Sequence, residues 1–494
     1  TLGKGRKFFK CIKKGKQDLF LGLGPEPEIV ARLNSGKHAH YIECPEFVQQ
    51  MDESWRQKVP PNFSPISVSR LDKNFIAQAR IWLYLPGLSF FPGFWTRVLA
   101  ICRIEANASG VSQTQECRAS DSSEGRGSRQ VCIFGDEHSL LLPDICCGLK
   151  ELGFQARPVH LDISVFKLIQ IIVQTEPVFF LSINFQGIDP LGETPALLEK
   201  FQIPLAVWCV DNPFHLLTRI KGKFWQKLVI FVTDSWFIPH LKKYGAQNVF
   251  YLPLATSTAY FYPYEKKKDY LRDKIVFVGR SEFPARDKFF AASRLEPDLV
   301  ARAQNLALEG TRPDFDWWLK QLNISLWPGN KVRHVGYNAE VLNLYWRKVC
   351  LQALARTGQL VVYGDKKWEK LLPSYVQLNG EVDYYGPLGQ IYSSARYVLN
   401  LTSMLLPAGL TQRHFDVWAA GGFLITDYTP GLKLFPEELV ANITFHHPGQ
   451  IETVLNELEK RSSLKKDIQS EFYKLILTRH TYKNRLEEIM NIMN

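Results

Sequence analysis

An arginine and an aspartate three residues apart could form part of an anion-binding site. The segment TQRHFDVWAAGG predicts a helix that carries Arg413 and Asp416 on one face and ends at Gly421. A carboxylate near a helix start can accept hydrogen bonds from the two hydroxyls of a ribose, and a neighbouring guanidinium can neutralise a diphosphate. An ordinary ion pair on a helix surface explains the spacing equally well, so both interpretations stay open.

Asp314 and Asp316 have the spacing of paired carboxylates that hold a metal ion. The apolar segment WWLKQL follows them directly, and this order favours a role in capping the start of a helix. We therefore predict no metal site at these residues.

Apolar runs that alternate with helical segments must position these side chains. VCIFG, PVFFLSIN, LAVWCVD, KLVIFVTD and NVFYLPLA have strand length and are apolar on both faces, which is typical of a buried parallel sheet. After a polar, aromatic hinge, IVFVG, QLVVYGD, YVLNLT and FLITD repeat the pattern. The fold class is therefore predicted as α/β, with two Rossmann-like doubly wound domains whose strand ends could face one cleft.

Composition shifts divide the chain into five predicted regions. These are an N-terminal α/β extension over 1–104, a Ser/Gly-rich linker over 105–130, a first Rossmann-like domain over 131–262, a second over 274–448, and C-terminal helices over 449–494. Within the extension, DLFLGLG and HAHYIECPEF predict strands on either side of a helix in PEPEIVARLNSG. The apolar run at 81–95 is shorter than the ~20 residues of a membrane span and is broken by proline and glycine. It predicts a buried, broken segment, and a shallow membrane-contacting loop is the alternative.

The net charge and the cysteine content limit the partners and the cellular environment that the chain can be expected to have. The 494 residues carry a net charge of +11, and the first sixteen hold seven basic residues and no acidic one. The remaining surplus is too small to indicate nucleic-acid binding. Residues 1–16 predict a solvated segment. The alternative is a weak electrostatic contact with an anionic membrane surface, nucleic acid or an acidic partner. Nine cysteines without a CxxC pair do not form a disulfide framework, which indicates a reducing, cytoplasmic environment.

Several motifs occur in a fixed order along the chain: VWCVDNP, TDSWFIPHLKKYGAQNVFYLPLATS, IVFVGR, the stretch from Arg413 to the strand LITD, and RHTYKNR. Together they resemble the motifs of glycosyltransferases with two Rossmann-like domains, the GT-B fold, and among these the CgeB-like family. That family's pattern of an arginine, an acid three positions later, Ala-Gly and a strand ending in Thr-Asp is present at 413–427. The resemblance touches residues 19–490, apart from the Ser-rich linker and a helical insert.

The resemblance implies transfer of a sugar from a nucleotide-diphosphate donor, with no metal ion or other cofactor. Arg280 and Arg413 would stabilise the charge that develops on the leaving diphosphate. Gly279 and Gly364 would let the diphosphate approach the backbone. Asp416 would hold the ribose, and Gly421 would complete the donor-binding set.

Two residues of the first domain are acceptor-side candidates under this resemblance. Asp211 ends the strand LAVWCVD and could contact the acceptor or act as general base, although a turn-forming Asp before Asn-Pro explains it as well. His138, in FGDEH, follows another strand, and a solvent-facing loop histidine is its alternative interpretation. The expected acceptor is a protein, a cell-envelope glycan or a small molecule.

Two departures from the family pattern keep a second function open. Related enzymes often carry an acid eight positions before the ribose-binding carboxylate, and Ala408 stands there in this chain. The ribose-binding acid is an aspartate, Asp416, in place of the usual glutamate. The alternative is a non-catalytic nucleotide- or sugar-binding protein derived from a glycosyltransferase.

Overall fold

The structure is a computed structural model that describes residues 3–34, 36–117, 129–136 and 139–493, without the side chains of 107–117. The described residues form seventeen strands in three sheets. The strands are β1 Phe9–Lys13, β2 Gln17–Leu21, β3 Ala39–Ile42, β4 Phe63–Pro65, β5 Ala79–Tyr84, β6 Gln130–Phe134, β7 Gln155–Val159, β8 Phe179–Ile183, β9 Leu205–Cys209, β10 Val229–Val232, β11 Asn248–Tyr251, β12 Ile275–Val278, β13 Leu360–Tyr363, β14 Gln377–Asn379, β15 Tyr397–Asn400, β16 Leu424–Asp427 and β17 Thr444–Phe445.

Twenty α-helices lie between and after these strands in the described part of the chain. They are α1 Pro45–Val48, α2 Glu53–Gln57, α3 Lys73–Gln78, α4 Leu85–Phe90, α5 Pro92–Cys117, α6 Leu142–Glu151, α7 Val165–Thr175, α8 Glu193–Lys200, α9 Pro213–Leu217, α10 Phe237–Lys243, α11 Arg286–Phe289, α12 Pro297–Leu308, α13 Phe315–Leu322, α14 Val332–Ala355, α15 Leu388–Ser394, α16 Arg413–Ala419, α17 Glu437–Val440, α18 Ile451–Lys460, α19 Ser462–Arg479 and α20 Tyr482–Met493. Strands and helices therefore alternate as the sequence predicts.

The N-terminal sheet has the strand order β1-β5-β2-β3-β4. Its strands are parallel except for β1, which pairs antiparallel with β5. The segment between β2 and β3 was predicted as a helix, but it forms a 3-10 helix over Pro27–Arg32. Central strands bury apolar side chains such as Phe20 and Ile81, and these give this region a hydrophobic core of its own.

The second and third sheets have the strand orders of Rossmann-like folds. The second runs β11-β10-β9-β8-β6-β7 and the third runs β14-β13-β12-β15-β16-β17. Every neighbouring pair of the third sheet is parallel. Strands β8, β9, β13, β15 and β16 are buried along their whole length, as runs that are apolar on both faces require. The predicted α/β fold with two Rossmann-like domains is confirmed.

The predicted linker over 105–130 is wrong in its first half. Helix α5 begins at Pro92 and continues to Cys117, and β6 begins at Gln130. The segment EANASGVSQTQEC lacks proline and contains Ala, Glu and Gln, which favour helix, so a helix nucleated in the apolar segment before it can propagate onward. Low apolar content was therefore insufficient evidence for a linker.

Contacts within the chain form two compact units. The first comprises Thr1–His138, Gln155–Ala206 and Arg219–Leu228, and the second comprises Ser139–Phe154, Val207–Thr218 and Val229–Asn494. The first unit contains the N-terminal sheet, and the second contains the whole third sheet with the helical insert α11–α14. Within the described residues, no helix is both long and apolar enough to span a bilayer.

Candidate functional site

A pocket of about 540 Å³ opens in the second unit at the switch point of the third sheet. The chain order reverses between β12 and β15, which are neighbours in the sheet. Gly279 and Arg280 follow β12, Leu401 and Ser403 follow β15, and all four line the pocket. Open parallel sheets bind ligands outside the carboxyl ends of their strands at such a point. The position of the pocket therefore follows from the topology.

Two other elements complete the walls of this pocket. Asp211, Asn212 and His215 follow β9 of the second sheet, and α14 of the helical insert contributes a polar side. The apolar side consists of aromatic rings and leucines, namely Phe277, Phe283, Phe289, Phe290, Leu216, Leu405 and Leu406. An apolar cavity with few polar groups that converge on one point is typical of small-molecule sites.

Three arginines line the polar side of the pocket, namely Arg280, Arg347 and Arg413. Nη2 of Arg280 also forms an ion pair with Oε2 of the exposed Glu381 across 2.6 Å. Nη1 of Arg347 donates to the carbonyl oxygen of Arg280 across 2.9 Å. The buried Nε of Arg347 has no hydrogen-bond partner among the described residues. Burial lowers the pKa of Arg347, Glu340 raises it and Arg413 lowers it again, but a guanidinium stays charged at neutral pH. Such a concentration of positive charge suits a ligand with several negative charges.

Arg413 is oriented by the end of β15. Its Nη1 donates to Oδ1 of the buried Asn400 across 3.1 Å, and the same oxygen accepts from the hydroxyl of Thr411. The guanidinium lies against Gly279, where an added Cβ would approach Nη2 to 3.2 Å. Because Gly279 has no side chain, the guanidinium of Arg413 has room next to the carboxyl end of β12.

Gly364 is close to the pocket but does not line it. A Cβ at Gly364 would come within 2.4 Å of the carbonyl oxygen of Gly279, and the indole nitrogen of Trp368 donates to that oxygen across 2.9 Å. The close approach that requires glycine here is between two loops of the protein. Gly364 therefore packs against the backbone of Gly279 and does not line this pocket, and its contact with a ligand stays a prediction.

A buried carboxylate faces the pocket from α14. Glu340 accepts from Nδ2 of Asn343 across 3.0 Å, and Oδ1 of Asn343 accepts from the amide of Met404. Burial raises the pKa of Glu340, while Arg347 lowers it. The pocket thus places a carboxylate beside its guanidinium groups, and such a carboxylate can accept hydrogen bonds from ligand hydroxyls.

His215 lies on the wall that follows β9. Asn212 caps α9 by accepting from the amides of Phe214 and His215. The imidazole packs edge-on against Phe289, Phe290 and Phe315, and burial lowers its pKa to about 4. His215 is therefore neutral at pH 7. Asp211, by contrast, is exposed at the rim of the pocket.

Asp416 does not share the pocket with Arg413. Its side chain is buried, Oδ2 accepts from the hydroxyl of Tyr384 across 2.7 Å, and burial raises its pKa well above the ordinary value. The two residues are one short turn apart, but the long side chain of Arg413 reaches the strand ends while the short Asp416 points toward Tyr384. The structure therefore does not bring the two side chains together in this pocket, and their joint contact with one ligand stays a prediction.

The remaining predicted residues either have a structural role at a helix end or lie outside the residues that the structure describes. Gly421 ends α16 with a φ of 70°, a conformation that favours glycine, and it does not line the pocket. Asp314 caps α13 by accepting from the amides of Asp316 and Trp317, which confirms the capping prediction. His138 lies outside the described residues.

The sequence analysis missed Glu340, Asn343 and Arg347. They stand three and four residues apart on α14, so they form a polar stripe on one face of a largely buried helix. Polar residues at the spacing of a buried helix face are uncommon and indicate a candidate site, and this pattern is present in the sequence. The helical insert lies outside the motifs that carry the resemblance, so no motif indicates these three residues.

Ala408 is held through its backbone. Its amide donates to Oδ2 of Asp234 across 2.9 Å, and Asp234 also accepts from the amide of Trp236. Burial raises the pKa of Asp234 to about 6. A carboxylate that follows β10 therefore fixes the loop that leads into α16.

Three solved structures are similar to the chain at low identity. Anabaena Alr3699/HepE in complex with UDP and glucose has 11% identity and a TM-score of 0.44, covering 74% of this chain and 98% of that one. The T4 phage BGT with its UDP-glucose substrate has 10% identity and a TM-score of 0.41, covering 74% and 99%. AviGT4, a glycosyltransferase of avilamycin A biosynthesis, has 12% identity and a TM-score of 0.37, covering 74% and 97%.

The sequence itself gives one further similarity. No curated protein matches the chain. Residues 347–491 match the protein family described as Glycosyl transferase-like. The matched range begins at Arg347 and contains Arg413, and thus two of the three guanidinium groups of the pocket. The C-terminal part of the chain, from α14 to α20, is similar to glycosyl transferase-like proteins.

Proposed function

We propose that the protein is a glycosyltransferase that moves a sugar from a nucleotide-diphosphate donor to an acceptor. The observation that carries this proposal is that three arginines, Arg280, Arg347 and Arg413, line one pocket at the switch point of a Rossmann-like sheet. The family match over 347–491 supports the same activity. The order of the sequence motifs favours a member of the CgeB-like group.

The diphosphate of the donor binds between the three guanidinium groups. Gly279 lets a phosphate oxygen approach the backbone at the end of β12. When the bond from the sugar to the diphosphate breaks, negative charge develops on the leaving group. Fixed cations around that group stabilise the charge without reorganising, which lowers the barrier.

The carboxylate of Glu340 accepts hydrogen bonds from hydroxyl groups of the donor. Asp416 is buried against Tyr384 and Ala408 has no polar side chain, so neither supplies the carboxylate that a sugar or ribose requires. Glu340 is a buried carboxylate in the same pocket, next to the guanidinium of Arg347. In this proposal the helical insert provides the hydroxyl contact that the sequence resemblance assigned to α16.

Asp211 acts on the acceptor side. It is exposed at the rim of the pocket, where a carboxylate could accept the proton of an attacking hydroxyl. The neutral, buried His215 contributes to the shape of the pocket wall. A protein or a cell-envelope glycan is the proposed acceptor, and the reaction is proposed to need no metal ion.

A panel of nucleotide-diphosphate sugars tests the proposal in two measurements. Thermal shift identifies the donor, and release of the nucleoside diphosphate with and without chelator measures turnover. Arg413→Gln should abolish both responses, whereas Arg302→Gln, an exposed arginine on α12, should leave both unchanged. Equal responses from the two variants would contradict the assignment of the pocket.

The second candidate function is a non-catalytic nucleotide- or sugar-binding protein. It is favoured by Ala408, which offers only its backbone amide where related enzymes carry an acid. The same panel separates the two functions. A thermal shift that depends on Arg413, combined with no release of nucleoside diphosphate for any acceptor pool, would support binding without transfer.

A further inference from the structure

A groove on the first unit combines lysines with exposed apolar side chains. Lys4, Lys7 and Phe8 line one side, and Leu85 and Phe90 of α4 line the other, around a volume of about 680 Å³. These two segments are far apart in sequence. The groove therefore exists only in the folded protein.

The basic side of the groove belongs to a strongly charged segment. Residues 4–16 contain seven basic residues and no acidic one, and six of the seven are exposed. Among the described residues, this segment forms one ion pair, which joins Lys4 to Glu26 across 3.7 Å, with the lysine mostly exposed. The positive charge is thus largely available to an external anion.

The apolar side is unusually exposed for its residue types. Phe90 is 52% exposed and Leu85 is 38% exposed, although both stand next to a well-packed core. Helix α4 begins at Leu85, directly after β5, with Pro86 in its first turn. Large apolar side chains on a surface rimmed by charge mark a contact with a partner or a membrane.

The fold holds the two sides in a fixed relation. Strand β1, in the basic segment, pairs with β5, which leads directly into α4. The hydroxyl of Tyr84 donates to the carbonyl oxygen of Gly3 across 2.6 Å. Because backbone pairing and a hydrogen bond connect the two sides, cations and apolar groups are presented together on one surface.

We propose that this groove docks the protein on the surface of an anionic lipid bilayer. Lys4 and Lys7 contact lipid phosphates and carboxylates, while Phe90 and Leu85 enter the boundary between headgroups and acyl chains. The lysines favour an anionic surface through charge complementarity. The exposed side chains of Phe90 and Leu85 favour a lipid bilayer over a polyanion without apolar groups. Nucleic acid would engage the lysines alone through phosphate contacts.

Vesicle sedimentation of the full chain tests this inference independently of any transfer activity. We expect binding to vesicles with about 30% phosphatidylserine and little binding to phosphatidylcholine alone. Raising the salt from about 50 to about 500 mM should release most of the protein, because the charges are exposed to screening. An absence of binding to anionic vesicles at low salt would overturn the proposal.

Matched variants locate the contact. Lys4→Ser with Lys7→Ser should weaken binding roughly 25-fold, since each lysine near an anionic surface contributes about fivefold. Lys266→Ser with Lys267→Ser removes the same charge from another exposed site and should have little effect. Equal losses in the two double variants would show that net charge alone drives binding, against the proposal.

The apolar contact has its own control. Phe90→Ser should weaken vesicle binding, whereas Phe166→Ser on α7, where the phenylalanine is 49% exposed, should not. Circular dichroism checks that each variant is folded. Retention of full binding by Phe90→Ser, or binding to a short DNA duplex with the same loss on Lys4 and Lys7 substitution, would contradict a bilayer partner.

Discussion

Nη1 of Arg347, on the long helix α14, donates to the carbonyl oxygen of Arg280 across 2.9 Å. This bond joins the helical insert to the loop after the first strand of the third sheet. It places the guanidinium of Arg347 next to the backbone of Arg280 at the switch point. The insert is thereby part of the proposed donor site, although it interrupts the sheet in sequence.

Arg347→Gln is expected to weaken binding of a nucleoside diphosphate by roughly 10- to 100-fold, because a hydrogen bond to a charged group contributes about 1.5–3 kcal/mol. Binding of the uncharged nucleoside should not change, since the lost charge faces the phosphates. Titration calorimetry with both ligands measures this difference. A parallel loss for the nucleoside would indicate a disturbed pocket instead of a lost phosphate contact.

Glu340→Gln is expected to weaken binding of the nucleotide sugar about tenfold, or ~1.4 kcal/mol, and to spare the nucleoside diphosphate. The reason is that a carboxylate accepts hydrogen bonds from hydroxyls more strongly than a neutral amide does. The comparison of the two dissociation constants is the measurement. Glu309→Gln, an exposed position after α12, is the control, and equal affinities in wild type and Glu340→Gln would remove Glu340 from the site.

Asp416→Ala is expected to lower the free energy of unfolding by about 1–3 kcal/mol, because the buried hydroxyl of Tyr384 loses its acceptor. Asp416→Asn keeps an acceptor oxygen and should be milder. Chemical denaturation measures both. If Asp416→Asn stayed folded but bound the donor less than about one tenth as tightly, the carboxylate would contact the ribose after all.

Asp144 on α6 predicts a pH dependence of stability. It is buried, it accepts from the hydroxyl of Tyr385 across 2.8 Å, and burial raises its pKa to about 7. The folded protein therefore holds a proton that the unfolded chain releases near pH 4, so this group lowers stability as pH rises from about 4 to about 7.

Asp144→Asn removes that titration. Relative to wild type, the variant should gain up to about 4 kcal/mol in unfolding free energy between pH 4 and pH 8. Asp467→Asn on α19, at an exposed position, should show no such trend. Thermal unfolding across this pH range measures the difference, and a constant difference between Asp144→Asn and wild type would contradict a buried protonated carboxyl.

The fold was largely predictable because its central strands are buried on both faces. Runs such as LVVY and YVLN admit few interpretations. Six strands were missed. One of them, β5, is an inner strand that lies partly in the apolar run at 81–95, which was predicted only as a buried segment. The other five, β1, β4, β7, β14 and β17, stand at the edges of their sheets, and they are short or contain polar residues or proline. Such edges carry a weak periodic signal.

The site was predictable only in part, for a different reason. Arg413 was predicted from the resemblance. Gly279 was predicted from the resemblance and from its position at the end of a strand. The direction of a short side chain such as Asp416 depends on its tertiary neighbour Tyr384, which no local pattern reveals. Glu340 and Arg347 contribute through a helix that lies far from the strand ends in sequence.

The bond between Asp234 and Ala408 joins a side chain to a backbone amide. Any small residue except proline would offer the same amide, so the contact tolerates substitution at position 408. The departure of this position from the pattern of related enzymes thus carries no information about whether the loop before α16 is correctly held. Natural variation at 408 and retention of a working loop are compatible.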